Sequence, residues 1–234
     1  MFLDVNKIHT YYGKSHILSD VFIQVERGKT AALLGRNGVG KSTTLKSIIG
    51  ITPPRKGSIR FKEIEITGMK PHMICRLGIG YVPQERRIFP NLTVRQNLLT
   101  GLKPDQKVDN PWSIERIYNH FPKLKERDNQ KGRHLSGGEQ QMLTIARTLM
   151  GNPEVILIDE PTEGLAPLLI EVLVEMMRDM KENGSAILLV EQNLDIALEL
   201  AERVYVLSKG SIAFQGTREE FLGDEEVRKK YLEV

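Results

Sequence analysis

The run Gly35-Arg36-Asn37-Gly38-Val39-Gly40-Lys41-Ser42 narrows the choice of folds more than any other stretch of this chain. It matches G-x-x-x-x-G-K-[ST], with an apolar run, Thr30 to Leu34, before it and a helix-patterned run, Ser42 to Ile49, after it. Glycines let the backbone turn tightly, so that several N–H groups point inward at phosphate oxygens. The helix that follows aims its positive end at the same anion. Lys41 can reach the β- and γ-phosphates of a nucleotide, and the Ser42 hydroxyl can ligate Mg2+. Ordinary residue usage produces the bare pattern by accident in roughly one chain in a hundred of this length. A strand before it and a helix after it make coincidence rarer still.

Val155-Ile156-Leu157-Ile158 reads as a buried strand that ends in Asp159-Glu160. A strand covered on both faces delivers its last residues to the carboxyl edge of a parallel sheet, where ligands bind. Alone, an acidic pair there is more often a solvated strand end. With a phosphate loop upstream the balance reverses: Asp159 would bind Mg2+, and Glu160 would be the base that orients and deprotonates an attacking water.

The rest of the chain fits a sheet flanked by helices. Strands are expected at Leu3 to Ile8, Ile17 to Val25, Ser58 to Phe61, Glu63 to Ile66, Gly78 to Val82, Ala186 to Val190, Val204 to Leu207 and Ser211 to Phe214. From Pro83 to about Met150 the pattern turns mainly helical, with a polar surface stretch between Leu102 and Trp112 and helices at Ile114 to Phe121 and Glu139 to Met150. Further helices are expected at Leu168 to Glu182, Leu194 to Glu202 and Glu219 to Leu232. A helical segment is thus inserted into an α/β core. The 33 basic and 30 acidic residues nearly cancel, which argues against a nucleic-acid binder on bulk charge. The single cysteine, Cys75, excludes an intrachain disulfide and suits a reducing compartment. No apolar run approaches the roughly 20 residues that span a bilayer, and the first residues carry no basic and apolar leader. A cytoplasmic protein is expected; any membrane span would come from a partner.

Leu135-Ser136-Gly137-Gly138-Glu139-Gln140-Gln141 places two glycines and a serine before an apolar-periodic helix. Serine is an ordinary N-cap, so this can be no more than a helix start. It can equally be a second anion site. One molecule has no obvious use for two phosphate cradles, whereas a head-to-tail pair could hold each ATP between the loop of one copy and the Ser-Gly-Gly of the other.

At Leu135 to Gln140 the chain resembles the ABC ATPases, whose signature motif this run matches, and the resemblance extends over essentially the whole sequence. It implies an α/β fold: a P-loop NTPase (RecA-like core) with an N-terminal antiparallel β subdomain and an inserted α-helical subdomain. Residues 1–85 and 151–234 would form the ATP-binding core with the β subdomain. Residues 86–150 would form the helical subdomain that carries the signature and docks on the permease. The resemblance also implies ATP and Mg2+ as ligands. Tyr12 would stack on adenine, and Gly35, Arg36, Asn37, Gly38, Val39, Gly40, Lys41, Ser42 and Thr43 would hold the nucleotide. Ser136, Gly137 and Gly138 would reach the γ-phosphate on the opposite subunit. Ser42, Gln84 and Asp159 would hold the metal, and Glu160, Gln84 and Gln192 would be the catalytic side chains.

Two positions depart from the family pattern. Gln192 stands where a switch histidine is usual, and it can hydrogen-bond a phosphate but carries no imidazolium charge. Glu163-Gly164-Leu165-Ala166 stands where Ser-Ala-Leu-Asp is common, so Ala166 offers no carboxylate. Val190-Glu191-Gln192-Asn193 and Gly164-Leu165-Ala166-Pro167 resemble the second ATPase subunit of branched-chain amino-acid importers. Tyr11-Tyr12-Gly13, Gly35 to Gly40 and Glu160-Pro161-Thr162-Glu163-Gly164 resemble the related urea/amide importer subunit. The resemblance implies a homo- or heterodimer of ATPase subunits on integral-membrane permeases at the cytoplasmic face of the membrane. It implies an indirect link to a solute-binding protein and no nucleic-acid partner. A soluble ABC ATPase uncoupled from transport would share every ATP residue. A P-loop kinase or GTPase would have no use for the Leu135 to Gln140 run.

Overall fold

Strand β1 (Leu3–Tyr12) pairs antiparallel with β2 (Ser15–Val25) and is followed by β3 (Thr30–Leu34), the phosphate loop and α1 (Lys41–Ile48). Next come β4 (Lys56–Phe61), β5 (Ile64–Glu65), α2 (Pro71–Leu77) and β6 (Ile79–Val82). The helical stretch holds α3 (Val94–Leu99), α4 (Ile114–His120), α5 (Pro122–Glu126) and α6 (Gly137–Leu149). Then β7 (Val155–Asp159), α7 (Pro167–Glu182), β8 (Ala186–Val190), α8 (Leu194–Leu200), β9 (Arg203–Ser208) and β10 (Ser211–Thr217) return the chain to the sheet, and α9 (Arg218–Gly223) and α10 (Glu225–Tyr231) close it. The computed structural model describes residues 1–103 and 110–231. Residues 104–109 of the expected polar stretch and the expected helix end at Leu232 lie outside the described residues.

Two sheets form. One is antiparallel, in the order β2-β1-β4-β5; the other has six strands in the order β10-β9-β3-β8-β7-β6, parallel except for β10. The period of two along a strand explains why the central strands read as unbroken apolar runs. Val155 and Leu157 of β7, with Leu188 and Val190 of β8, face the core shared with the antiparallel sheet. Ile156, Ile158, Ile187 and Leu189 face the other way, into a core built with α6 and α7. Covered on both sides, these strands have no solvent face on which a polar residue would be tolerated.

The structure differs from the expected elements at several places: the helical stretch holds two short helices, α3 and α5, beyond the two expected there. α2 is not among the expected helices: only Ile74 of its seven residues is fully buried, with Cys75 and Leu77 packed partly against the core, and its signals are Pro71 at the start and Gly78, at φ +119, just past the end. The last expected helix is two helices, because Asp224 leaves helical geometry and its Oδ1 accepts from Val227 N at 2.9 Å to start α10. Asp159, expected just past its strand, is the last residue of β7.

Besides the apolar core that the helical stretch shares with α7, one carboxylate ties the two together. Arg116 donates to Asp179 through Nη2 (2.7 Å to Oδ1) and Nε (3.3 Å to Oδ2), and His120 Nε2 lies 2.7 Å from Oδ2. Burial alone would lift the Asp179 carboxyl, but the hydrogen bonds from Arg116 and His120 outweigh it and hold it below the usual carboxylate value. A depressed carboxylate stabilises the fold above the unfolded-chain value of about 3.9, and the contribution is lost as pH falls through its own lower value. Asp179→Asn is therefore expected to lower the melting temperature at pH 7. The gap to the parent chain should narrow as the pH drops below about 4, as thermal unfolding across a pH series will show.

Candidate functional site

The strands β3, β8, β7 and β6 are consecutive neighbours and all parallel. Their register levels their ends: Leu33 pairs with Val190, Val190 with Asp159, and Ile158 with Val82. Each chain segment that leaves the carboxyl edge therefore starts at the same height, about 5 Å from the next. These segments begin with Gly35, Glu191, Glu160 and Pro83-Gln84, so residues far apart in sequence meet along one edge.

The loop after β3 depends on its glycines. Gly35 sits at φ +149, and a Cβ there would lie 2.4 Å from the Leu207 carbonyl oxygen; at Gly40, φ +113, it would lie 2.7 Å from Leu18 Cδ2. Gly35→Ala is expected to cost roughly 1–3 kcal/mol from backbone strain, with the clash against Leu207 in addition, read as a lower denaturation midpoint. Lys41, only 4% exposed, donates from Nζ to the carbonyls of Gly35 (2.8 Å) and Arg36 (3.1 Å) and pairs with Glu160 Oε1 at 3.2 Å. A cleft of about 440 Å3 opens beside it, lined by Tyr12, Ile17, Asn37, Gly38, Gly40, Lys41, Ser42, Thr43, Gln84 and Glu160. Tyr12 is 46% exposed at its mouth, where a ring can stack on a base.

Two hard oxygens converge at the floor of this edge: Ser42 Oγ donates to Asp159 Oδ1 at 3.1 Å. Burial pushes the Asp159 carboxyl up to about 6, against the pull of the Ser42 hydroxyl and despite Lys46 and Lys41, with the charge of Glu160 adding to the rise. A hydroxyl and a carboxylate, with the Gln84 amide in the same cleft, form the all-oxygen donor set that suits Mg2+. Asp159 and Ser42 thus fit that ion by chemistry and by proximity.

Glu160 stands at the centre. It is 6% exposed and takes the left-handed backbone region, φ +47, which few residues other than glycine adopt. Its N–H is tied to Val190 O at 2.9 Å. Besides Lys41 on Oε1, its Oε2 accepts from Gln192 Nε2 at 2.6 Å and from Gln84 Nε2 at 3.3 Å. Gln84 also donates to Glu163 Oε2 at 2.7 Å. A second hollow, about 400 Å3, lies on the far side of Glu160 and is lined by Gln84, Glu85, Arg86, Gln141, Glu163 and Gly164. Glu163, part of the runs that set this chain apart within the family pattern, is a partner of Gln84; 79 residues separate them, and no local pattern links them. Glu191 and Thr162 stand in runs quoted above for their resemblance, with no role in the site assigned to either. They are joined beside Glu160 through a buried carboxylate.

Ser136, Gly137 and Gly138 stand elsewhere. Ser136 caps α6 with the reciprocal pair Glu139 N to Ser136 Oγ (3.3 Å) and Ser136 N to Glu139 Oε2 (2.8 Å). Ser136 is exposed, the two glycines are half-buried, and none of the three lines the 440 Å3 cleft. The cap uses an acceptor lone pair of the hydroxyl; its own proton stays available to an incoming oxygen.

A glycine loop that can cradle phosphates at the carboxyl edge of a parallel sheet, with a held carboxylate beside it, defines a P-loop nucleotide hydrolase. The ABC transporter family pattern matches residues 18–163. The chain is 42% identical over 230 residues to the high-affinity branched-chain amino acid transport ATP-binding protein BraG of Pseudomonas aeruginosa, covering 98% of this chain and 99% of that one. It is 38% identical to the probable branched-chain amino acid transport ATP-binding protein LivF of Archaeoglobus fulgidus, over 95% of each. It is also 34% identical to the lipopolysaccharide export system ATP-binding protein LptB of Escherichia coli, over 97% of this chain and 95% of that one. Among solved structures, an ATP-binding subunit of an ABC transporter superposes with a TM-score of 0.87 at 29% identity, covering 99% and 96% of the two chains. A dimeric post-hydrolysis ATP-binding cassette bound to ADP and Pi gives 0.79 at 25%, covering 92% and 98%. The chain belongs to the ABC transporter family and is its ATP-hydrolysing subunit. Among the described residues no helix is long and apolar enough to cross a membrane.

Proposed function

We propose that this subunit powers the import of branched-chain amino acids, at the cytoplasmic face of the membrane, through permeases that it contacts with residues 86–150. The observation that carries the cargo is the near end-to-end similarity to BraG at 42% identity, against 34% for the lipopolysaccharide relative. In this reading the chain divides into a core of residues 1–85 and 151–234 and a helical part that moves with the permease. A solute-binding protein outside the membrane delivers the cargo to the permeases, and the chain pairs with a second ATPase subunit, identical or homologous.

The chemistry follows from the edge of the sheet. The loop amides and Lys41 hold the β- and γ-phosphates, Tyr12 stacks on the adenine, and Ser42, Asp159 and Gln84 hold Mg2+. Bound there, Mg2+ supplies charge neutralisation for the transferring phosphoryl group. Glu160 takes the proton of the attacking water, and Gln192 and Gln84 keep its carboxylate aimed. Ser136, Gly137 and Gly138, exposed and remote from the cleft of their own chain, close the γ-phosphate side of a second copy's site. That closure moves the helical parts and, through them, the permease.

The test is transport by the assembled system. Vesicles that hold this subunit with its permeases and binding protein are expected to accumulate leucine, isoleucine and valine only when ATP is enclosed on the ATPase side. Accumulation of urea or short amides instead would reassign the cargo, in line with the Glu163-Gly164 run. ATP turnover with no solute movement would overturn the import reading.

A further inference from the structure

Beside the constellation around Glu160 lies a second carboxylate that has no part in the chemistry above. Glu191 is 2% exposed, and both of its oxygens are occupied by donors. Oε1 accepts from Thr162 N at 3.2 Å and from Thr162 Oγ1 at 2.6 Å. Oε2 accepts from Gln192 N at 2.9 Å and from Asn193 N at 3.2 Å. Thr162 is itself 8% exposed. All four partners present an N–H or O–H to it, so both oxygens act as acceptors.

The placement of this clamp is its significance. Thr162 belongs to the segment that leaves β7 and lies two residues past Glu160. Gln192 belongs to the segment that leaves β8 and sends its amide 2.6 Å from Glu160 Oε2. Strand pairing ends at Asp159 and Val190, so beyond that point the ladder holds the two segments only through Glu160 N and Val190 O. Glu191 takes over where the ladder stops. It grips the backbone of Gln192 on one oxygen and the Thr162 turn on the other.

We propose that Glu191 and Thr162 are positioning residues for ATP hydrolysis: together they fix the distance between the Glu160 carboxylate and the Gln192 amide that aims it. The proposal rests on the reading of Glu160 as the base. A neutral Gln192 has one hydrogen-bonding donor group to offer Glu160 and no charge to correct a misplacement, so its aim depends on its backbone. A shift of about 1 Å at such a contact lowers turnover by up to roughly a hundredfold. Nucleotide affinity comes from the loop after β3, which Glu191 does not touch, and is unaffected.

The experiment compares ATP turnover per bound nucleotide in the intact transporter complex for four single variants. Glu191→Gln keeps the shape but turns an NH2 group toward one pair of N–H or O–H donors. Thr162→Val removes the hydroxyl, and Thr162→Ser keeps it. Glu160→Gln reports on the base itself. The expected result is a kcat lowered about 10- to 100-fold in Glu191→Gln and Thr162→Val, with KM for ATP and binding stoichiometry unchanged. Thr162→Ser should recover most of what Thr162→Val loses, and the double variant Glu191→Gln with Thr162→Val should lose little more than the worse single one. Should Glu191→Gln fold too poorly to assay, the Thr162 pair carries the test alone. Parental kcat in Glu191→Gln and Thr162→Val overturns the clamp while Glu160→Gln is inactive. A loss of binding stoichiometry in step with kcat overturns it too, because that marks a purely structural role. Full turnover in Glu160→Gln overturns the reading of the base instead.

Discussion

Glu160→Gln is expected to bind ATP as the parent chain does and to hydrolyse it roughly 100- to 10,000-fold more slowly. The substitution changes no volume, so α1, the phosphate loop and the 440 Å3 cleft keep their form. What it removes is the ability to accept a proton. The geometry around the residue makes this loss hard to cover. Gln84 and Gln192, which face Glu160, donate to it through amides that cannot serve as bases, and Lys41 is a cation. The next carboxylates are already committed: Asp159 to Ser42, Glu163 to Gln84, and Glu191 to its four donors. With closure intact and hydrolysis blocked, a pair of subunits should stay together in ATP. Light scattering on the purified variant should show a dimer with ATP and none with ADP. Turnover at the parental rate would remove Glu160 from the role of base.

The parts of the site visible in the sequence are those whose constraint is local. Gly35 to Ser42 was legible because tight turns, phosphate-facing amides and the helix start all lie within eight consecutive residues. Asp159 and Glu160 were legible because a five-residue strand buried on both faces leaves an apolar run that stops abruptly at charge. The layout of the fold followed from the same contrast between runs of period two and helical spacing. What could not be read was tertiary. A glutamate at the end of β8 looks like any solvated strand end, and only the parallel pairing of β7 with β8 brings Thr162, 29 residues away, beneath it. Glu163 was visible as a departure from the family pattern, but its contact with Gln84 depends on β6 lying beside β7. α2 escaped for the opposite reason. It is a seven-residue surface helix whose apolar contacts, Ile74 with Cys75 and Leu77 partly buried beside it, are too few to set up a helical period over a window of about 11–18 residues.

Lys41→Ala is expected to weaken ATP binding by roughly 30- to 100-fold, as the loss of a charged hydrogen-bonding partner does in a buried site. Lys41 is held by its own loop: Nζ reaches back to the carbonyls of Gly35 and Arg36, so the ammonium is placed before any phosphate arrives. That preorganisation makes the interaction worth more than an exposed lysine would give, because little side-chain freedom remains to be lost on binding. The same contacts predict that arginine will not substitute. The pocket around Nζ is bounded by Gly35 O, Arg36 O and Glu160 Oε1 at 2.8 to 3.2 Å, room for a compact ammonium and not for a planar guanidinium. Lys41→Arg should therefore bind ATP closer to the alanine variant than to the parent, although it keeps the charge. Removing the ammonium also leaves Glu160 with two neutral donors and no cation beside it. Fluorescent nucleotide titration separates these outcomes. An affinity for ATP equal to that of the parent in Lys41→Ala would place the triphosphate somewhere other than the loop after β3.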